Sequence, residues 1–155
     1  MLDDYEVGKS TLALISLDSR VTCVYEEDDQ YHVLMNSNQI IDNACQYFGS
    51  SYDGRLRGTK ALIGVNYKAP IIVEESQNMI FFPTNSPRSE ICHWISLHQV
   101  KDYHKKDSNH VRVVFRNGRE IIVNMSFQSF ENQILRATRL DAVLNQRKTL
   151  SKTVN

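Results

Sequence analysis

The chain has 155 residues, of which 41% are hydrophobic and 23% charged, a composition that fits one globular domain with a core of its own. No apolar run approaches the ~20 residues that cross a bilayer, and the acidic opening MLDDYEVGKS is not a secretory signal, so no membrane partner and a cytoplasmic location are expected. Eighteen basic residues balance eighteen acidic ones, yet residues 1–35 carry eight acids against Lys9 and Arg20, while residues 101–155 carry eleven basic residues against five acids. A partner meets local potential rather than total charge, so this split says more than the net of zero.

Alternating or short apolar runs predict strands at TLALIS (11–16), VTCVY (21–25) and YHVLM (31–35), with the acidic EEDDQ between the last two as a hairpin loop. Ser37 is placed to cap a helix with an apolar stripe of Ile41, Ala44, Cys45 and Phe48, ended by Gly49. The segment YFGSSYDGRLRGTKAL (47–62) holds three of the six glycines and is partly loop, with helix predicted from Ser50 toward Leu62. Further strands fit PIIV, MIFF and HWISLHQV, with Pro83 and Pro87 marking a loop between the last two.

Asn117-Gly118 reads as a two-residue type I′ turn joining VRVVFR to REIIV. That loop length sets Arg116 opposite Arg119, Val114 opposite Ile121 and Arg112 opposite Val123. Phe115, Val113, Val111 and Ile122 then form the core face. Ser126 or Ser129 opens a final helix with an apolar stripe of Phe127, Phe130, Ile134, Ala137 and Leu144. At about 100° per residue, Arg136, Arg139 and Arg147 gather on a separate arc. Beyond Lys148 the chain turns polar and fraying is expected over residues 149–155. No internal repeat is visible. The elements add up to a single α+β domain over residues 1–155, with mostly antiparallel sheet and two or three helices including a C-terminal one.

Three kinds of chemistry can be weighed against these elements. Gly49 and Gly54 have G-x-x-x-x-G spacing, but Arg55-Leu56 follow where a phosphate-binding loop needs Lys and Ser or Thr, and a helix precedes where a strand should. Cys92, His93, His98, His104 and His110 are scattered rather than paired at metal-ligand spacing, so neither a metal nor another cofactor is expected. The odd set Cys23, Cys45 and Cys92 lacks C-x-x-C spacing and fits reduced thiols, with no nucleophile motif around any of them. No enzyme activity is implied. Nucleic-acid binding fits better: Arg55, Arg57 and Lys60 lie beside Gly54 and Gly58, and the Arg116/Arg119 hairpin and Arg136/Arg139 helix are elements of a size that a groove admits.

One longer pattern goes beyond such features. QIIDNACQYFGSSYDGRLRGTKAL, KAPIIVEESQNMIFFPTNSPRSEICHWISLHQV, an Asn-Gly hairpin and SFQSFENQILRA together resemble the competence transcription factor (ComK) family of bacteria, in order and spacing over about residues 5 to 140. The resemblance implies an activator of genes for DNA uptake, binding paired A/T-rich boxes of double-stranded DNA largely through the minor groove as a homo-oligomer. Family members continue past Asn155 into a tail to which activation and recognition by a proteolytic adaptor are attributed, so the matched part does not carry the expectation of that adaptor. The alternative is a protein-interaction partner that forms mixed oligomers with a complete relative. The resemblance assigns no DNA contacts. From charge and spacing, Arg55 and Arg57 suit a narrow A/T-rich minor groove, Lys60, Arg136 and Arg139 suit phosphates, Arg116 and Arg119 are further candidates, and Tyr47, Phe48 and Tyr52 are candidate wedges.

Overall fold

Pairs of apolar residues on alternate sides of short strands need cover on both faces, and the chain supplies it with three layers. The structure, a computed structural model, describes the backbone of residues 1–154 and the side chains of residues 1–150. Six strands form the central sheet: β1 (Thr11–Ser16), β2 (Thr22–Glu26), β3 (Gln30–Val33), β4 (Ile71–Glu74), β5 (Met79–Pro83) and β6 (Trp94–Ser96). Their order is β3-β2-β1-β6-β5-β4, all antiparallel, so two three-stranded meanders meet where β1 pairs with β6. Helix α1 (Ser37–Tyr47) covers one face, burying Ile40, Ile41, Ala44 and Cys45 against Leu14, Val24, Phe81 and Trp94. A second sheet of β7 (Val100–Asp107), β8 (His110–Phe115) and β9 (Glu120–Val123), together with helix α3 (Phe127–Val154), covers the other face. There Phe130, Ile134, Ala137, Leu140 and Leu144 meet Ile72, Ile80, Phe82 and Ile95.

Helix α2 (Tyr52–Ile63) joins the two layers beside the β4 edge. Tyr52 and Leu56 pack with the α1 layer, whereas Leu62 and Ile63 pack with the α3 layer. Thr59, fully buried, donates from Oγ1 to the Pro70 carbonyl at 2.6 Å and ties the helix to the start of β4. The predicted α+β class, the antiparallel sheets and the C-terminal helix are all observed.

Several details differ from expectation, each for a local reason. The cap of α1 is Asn36, whose side chain accepts from the Asn38 N–H; Ser37 is the first helical residue, and its buried hydroxyl donates to the Cys92 carbonyl at 2.5 Å. The β8–β9 loop has three residues, not two. Phe115 and Arg119 are bonded across its base, Phe115 N–H to Arg119 carbonyl at 2.8 Å, and Gly118 takes φ +92° inside it. This is the three-residue hairpin with a left-handed glycine. The extra residue slips the register by one, so Val113 faces Ile121 and Arg112 faces Ile122. A slip of one turns a strand over: Ile121 and Val123 enter the core and Ile122 is 46% exposed. Arg116 and Arg119 are therefore not opposite one another.

Strand β7 was hidden because VKDYHKKD is polar along a sheet edge, where lysines discourage pairing with another chain. Helix α3 runs to Val154, and most of the segment expected to fray, the side chains of residues 151–154 and residue 155, lies outside what the structure describes. A repeat is also present. Segments β1-β2-β3-α1 and β7-β8-β9-α3 follow one another at an offset of about ninety residues. Val33-x-Met35 and Val123-x-Met125 leave their strands with the same Met N–H to Val carbonyl bond, at 2.9 and 3.1 Å, and each runs into a polar helix cap, Asn36 or Ser126.

Candidate nucleic-acid interface

The basic stretch that stands out in the sequence begins at the junction of α1 and α2. Gly49, at φ +85°, reverses the chain after α1, a conformation that favours glycine. Ser51 then caps α2 by accepting from the Gly54 N–H at 3.0 Å. A Cβ at Gly54 would sit 2.8 Å from the Ser50 hydroxyl, which would have to rotate away. Gly49 follows α1 and Gly54 lies inside α2, so neither leaves a strand.

Being helical separates the two arginines of this stretch. Residues two apart lie about 200° round a helix. Arg55 turns back along α1, where its charge lowers the Cys45 thiol while burial, the larger effect, pushes that thiol up to about 12. Its Nε is buried with no hydrogen-bond partner among the described residues. Arg57 is exposed, and Lys60, one turn on, is exposed about 60° away. Neither forms an ion pair among the described residues. The structure thus unites Arg57 with Lys60 and parts both from Arg55.

On α3, Arg139 is exposed and Arg136 half-buried at the flank of the buried stripe. Arg136 donates from Nη1 to the Tyr67 carbonyl at 3.1 Å and to Gln133 Oε1 at 3.3 Å, so α3 grips the loop that follows α2. Residues 54–73, which run from α2 beyond its Asp53 through this loop into β4, contain Arg55, Arg57, Lys60 and Lys68 and no acid.

The hairpin residues lie elsewhere. Arg119 donates from Nη1 to the carbonyls of Glu26 (2.8 Å) and Asp29 (2.7 Å) and from Nη2 to Gln30 Oε1 (3.2 Å), with its guanidinium 5.4 Å from the centre of the Tyr25 ring. Asn117 donates to the Glu27 carbonyl at 2.6 Å. The basic hairpin is thereby docked on the acidic β2–β3 turn. Arg116, exposed, donates to the His98 carbonyl, and Arg112 pairs with Glu120 on the outer face. Strand β2 is four places from β4 in the sheet, or about 19 Å at ~4.8 Å per strand. The seven candidate residues accordingly form two groups, one on α2 and α3 and one on the hairpin.

The aromatic candidates divide as well. Tyr52 is half-buried edge-on against Trp94. Tyr47 (72% exposed) and Phe48 form an edge-on pair lining a cleft of about 400 Å³ with Asp4 and Glu6. That acidic lining repels a phosphate backbone. His93 is an internal acceptor, taking the Ser16 N–H on Nδ1 at 3.0 Å, while His98, His104 and His110 each pair with an aspartate. No group of three or more metal-ligating side chains converges among the described residues. The three cysteines are buried and unbridged, and burial pushes Cys92 up to about 12. Among the described residues no helix is long and apolar enough to cross a membrane.

Fold and site together define a mixed α+β domain in which Arg57, Lys60, Arg136 and Arg139 form no ion pair among the described residues. The family model described as ComK protein matches residues 2–149, and the chain belongs to that family. It is 36% identical over 142 residues to the competence transcription factor of Bacillus subtilis (strain 168), an alignment covering 90% of this chain and 74% of that protein. No solved structure matches.

Proposed function

We propose that this chain is a DNA-binding transcriptional regulator of competence genes, acting without catalysis in the cytoplasm. Family membership supports the regulatory role. The observation that carries the DNA-binding reading is the acid-free run 54–73, which presents Arg57 and Lys60 to solvent beside an α3 flank bearing Arg136 and Arg139. Each lysine or arginine that neutralises a phosphate releases counterions, so such a surface gains affinity for a duplex that falls with salt. Arg57 is the groove candidate because a narrow A/T-rich minor groove concentrates negative potential. Lys60, Arg136 and Arg139 hold phosphates, Arg55 turns away along α1, Arg116 lies with the separate hairpin group, and Arg119 serves by fixing the hairpin. Paired boxes about one helical turn apart match a symmetric dimer, one subunit per box.

Titrating A/T-box and G/C-box duplexes in a gel-shift assay over a salt series tests this. Preference for the A/T box and a steep salt dependence are expected; equal, salt-insensitive binding of both, or none, refutes it. The reading as a protein-binding partner in mixed oligomers draws on the exposed Tyr47–Phe48 pair beside Asp4 and Glu6. It predicts no retention of duplex at all.

A further inference from the structure

The loop between α2 and β4, residues 64–70, is held in a way that its connecting role does not explain. Its most exposed large side chain is Tyr67, at 62%. The backbone beneath that ring is fixed rather than free. Gln133, almost wholly buried on α3, donates from Nε2 to the Lys68 carbonyl at 2.9 Å and to the Pro83 carbonyl at 2.7 Å. Arg136 holds the Tyr67 carbonyl at 3.1 Å. Between these anchors Lys68 takes φ +50°, a conformation uncommon for a residue with a side chain, which persists where surroundings enforce it. Its ammonium lies 5.7 Å from the centre of the Tyr67 ring.

The outcome is an aromatic ring projecting into solvent on a pinned loop, with one cation over its face and a guanidinium under its backbone. No acid occurs between Asp53 and Glu74 to compete for either charge. A ring gives a sequence-tolerant apolar contact, a flanking lysine gives a phosphate contact, and a rigid loop spends little entropy in making both. We propose that Tyr67 and Lys68 form a duplex contact of their own, in which the Tyr67 ring packs against the sugar and base edges of a groove and Lys68 engages the adjoining phosphate. Gln133 and Arg136 act as positioning residues that set the height of the ring. This inference rests on the DNA-binding reading and adds to it the element that enters the groove beside α2.

Anisotropy of a fluorescein-labelled A/T-box duplex over a salt series tests it, using the full chain with Tyr67→Ala, Tyr67→Trp and Lys68→Ala. Tyr67→Ala should weaken binding at least fivefold with the salt slope unchanged, because no charge is removed, and with a melting temperature near the parent's. Lys68→Ala should lower the slope by about one. Tyr67→Trp should keep affinity and shift its emission when duplex is added, over the steady background of the fully buried Trp94. Tyr67→Ala binding within twofold of the parent, or a Tyr67→Trp emission unmoved by saturating duplex, overturns the inference. Failure of the parent to bind any duplex removes the DNA-binding reading and this inference together, whereas a binding parent with an indifferent Tyr67 removes this inference alone.

Discussion

Replacing Arg119 by alanine separates the two groups of basic residues more cleanly than any change on α2. The guanidinium holds two backbone carbonyls of the acidic turn and lies over Tyr25. Bonds from a charged donor contribute ~1.5–3 kcal/mol each when shielded, but Arg119 is only half-buried, so about 1 kcal/mol each is the appropriate share. The ring contact adds roughly 0.5–1 kcal/mol. The sum, about 2.5–3 kcal/mol, converts to a melting point lowered by roughly 5–12 °C at ~2–4 °C per kcal/mol for a chain of this size.

Arg57→Ala and Lys60→Ala remove exposed, unpaired side chains and should stay within about 0.5 kcal/mol of the parent. Duplex binding, measured well below every melting point, should invert the ranking. The α2 changes should each lower the salt slope by about one, and Arg119→Ala should leave it alone. Circular dichroism melts and anisotropy on the same three proteins decide the matter. An Arg119→Ala protein that melts with the parent but loses a unit of salt slope would show that this side chain serves DNA and not the turn.

Two further expectations concern the core. The slipped hairpin register predicts that Ile121→Ser costs about 3 kcal/mol and Ile122→Ser less than about 1 kcal/mol; equal urea midpoints would restore the two-residue turn. His93 is half-buried and accepts the Ser16 N–H, and that partial burial holds its pKa below the ordinary 6.5. The unfolded chain therefore binds a proton that the fold does not, so this contribution is full above pH 6.5 and is lost as the pH falls toward the folded value. His93→Asn, which keeps an acceptor, should lose less melting temperature between about pH 7.5 and 5.5 than the parent does; equal losses would place the acid sensitivity elsewhere.

Apolar periodicity was enough to place β1, β2, β4, β5, β8, α1 and α3, because each buries one or two clear faces. It failed for β7, whose outward residues meet water along an edge and so carry no apolar signal. The hairpin turn was legible from Asn117-Gly118, but the loop length was not. A glycine at the third loop position and one at the second of two give the same dipeptide, and only cross-strand bonding tells them apart. The repeat escaped because what recurs is a hydrogen-bonded strand exit, with Val and Met the only identities kept in its first three residues. In the candidate interface, both the charge of the stretch 55–60 and its helix were legible, but the pairing of Arg55 with Arg57 in one contact does not follow from them. Whether Arg55 and Arg57 act together depends on helix against loop, and helix places them on opposite sides. The contact proposed for Tyr67 has no local signature at all, since the bonds that hold its loop come from Gln133 and Arg136, more than sixty residues away.

The zero net charge of this chain is compatible with the proposed polyanion surface because the four acids of the β2–β3 turn lie across the sheet from the β4 edge, even though Asp53 opens α2 and Glu131 and Asp141 sit on α3. Glu26, Glu27, Asp28 and Asp29 surround the turn that receives Arg119 and Asn117, and their field falls mainly on that hairpin. Asp4 and Glu6 line the cleft beside Tyr47 and Phe48. The β2–β3 turn stands about 19 Å from the β4 edge by strand spacing, more than two Debye lengths of ~8 Å at physiological ionic strength. At that distance salt would screen the acidic turn from a duplex bound as proposed on α2 and α3, while Arg57 and Lys60 would keep their attraction. The same separation would turn the basic helices toward an approaching duplex and the acidic turn away. Charge reversal at Asp28 and Asp29 should therefore alter the rate of association at low salt far more than the affinity at physiological salt, and a change confined to affinity would place those acids next to the DNA.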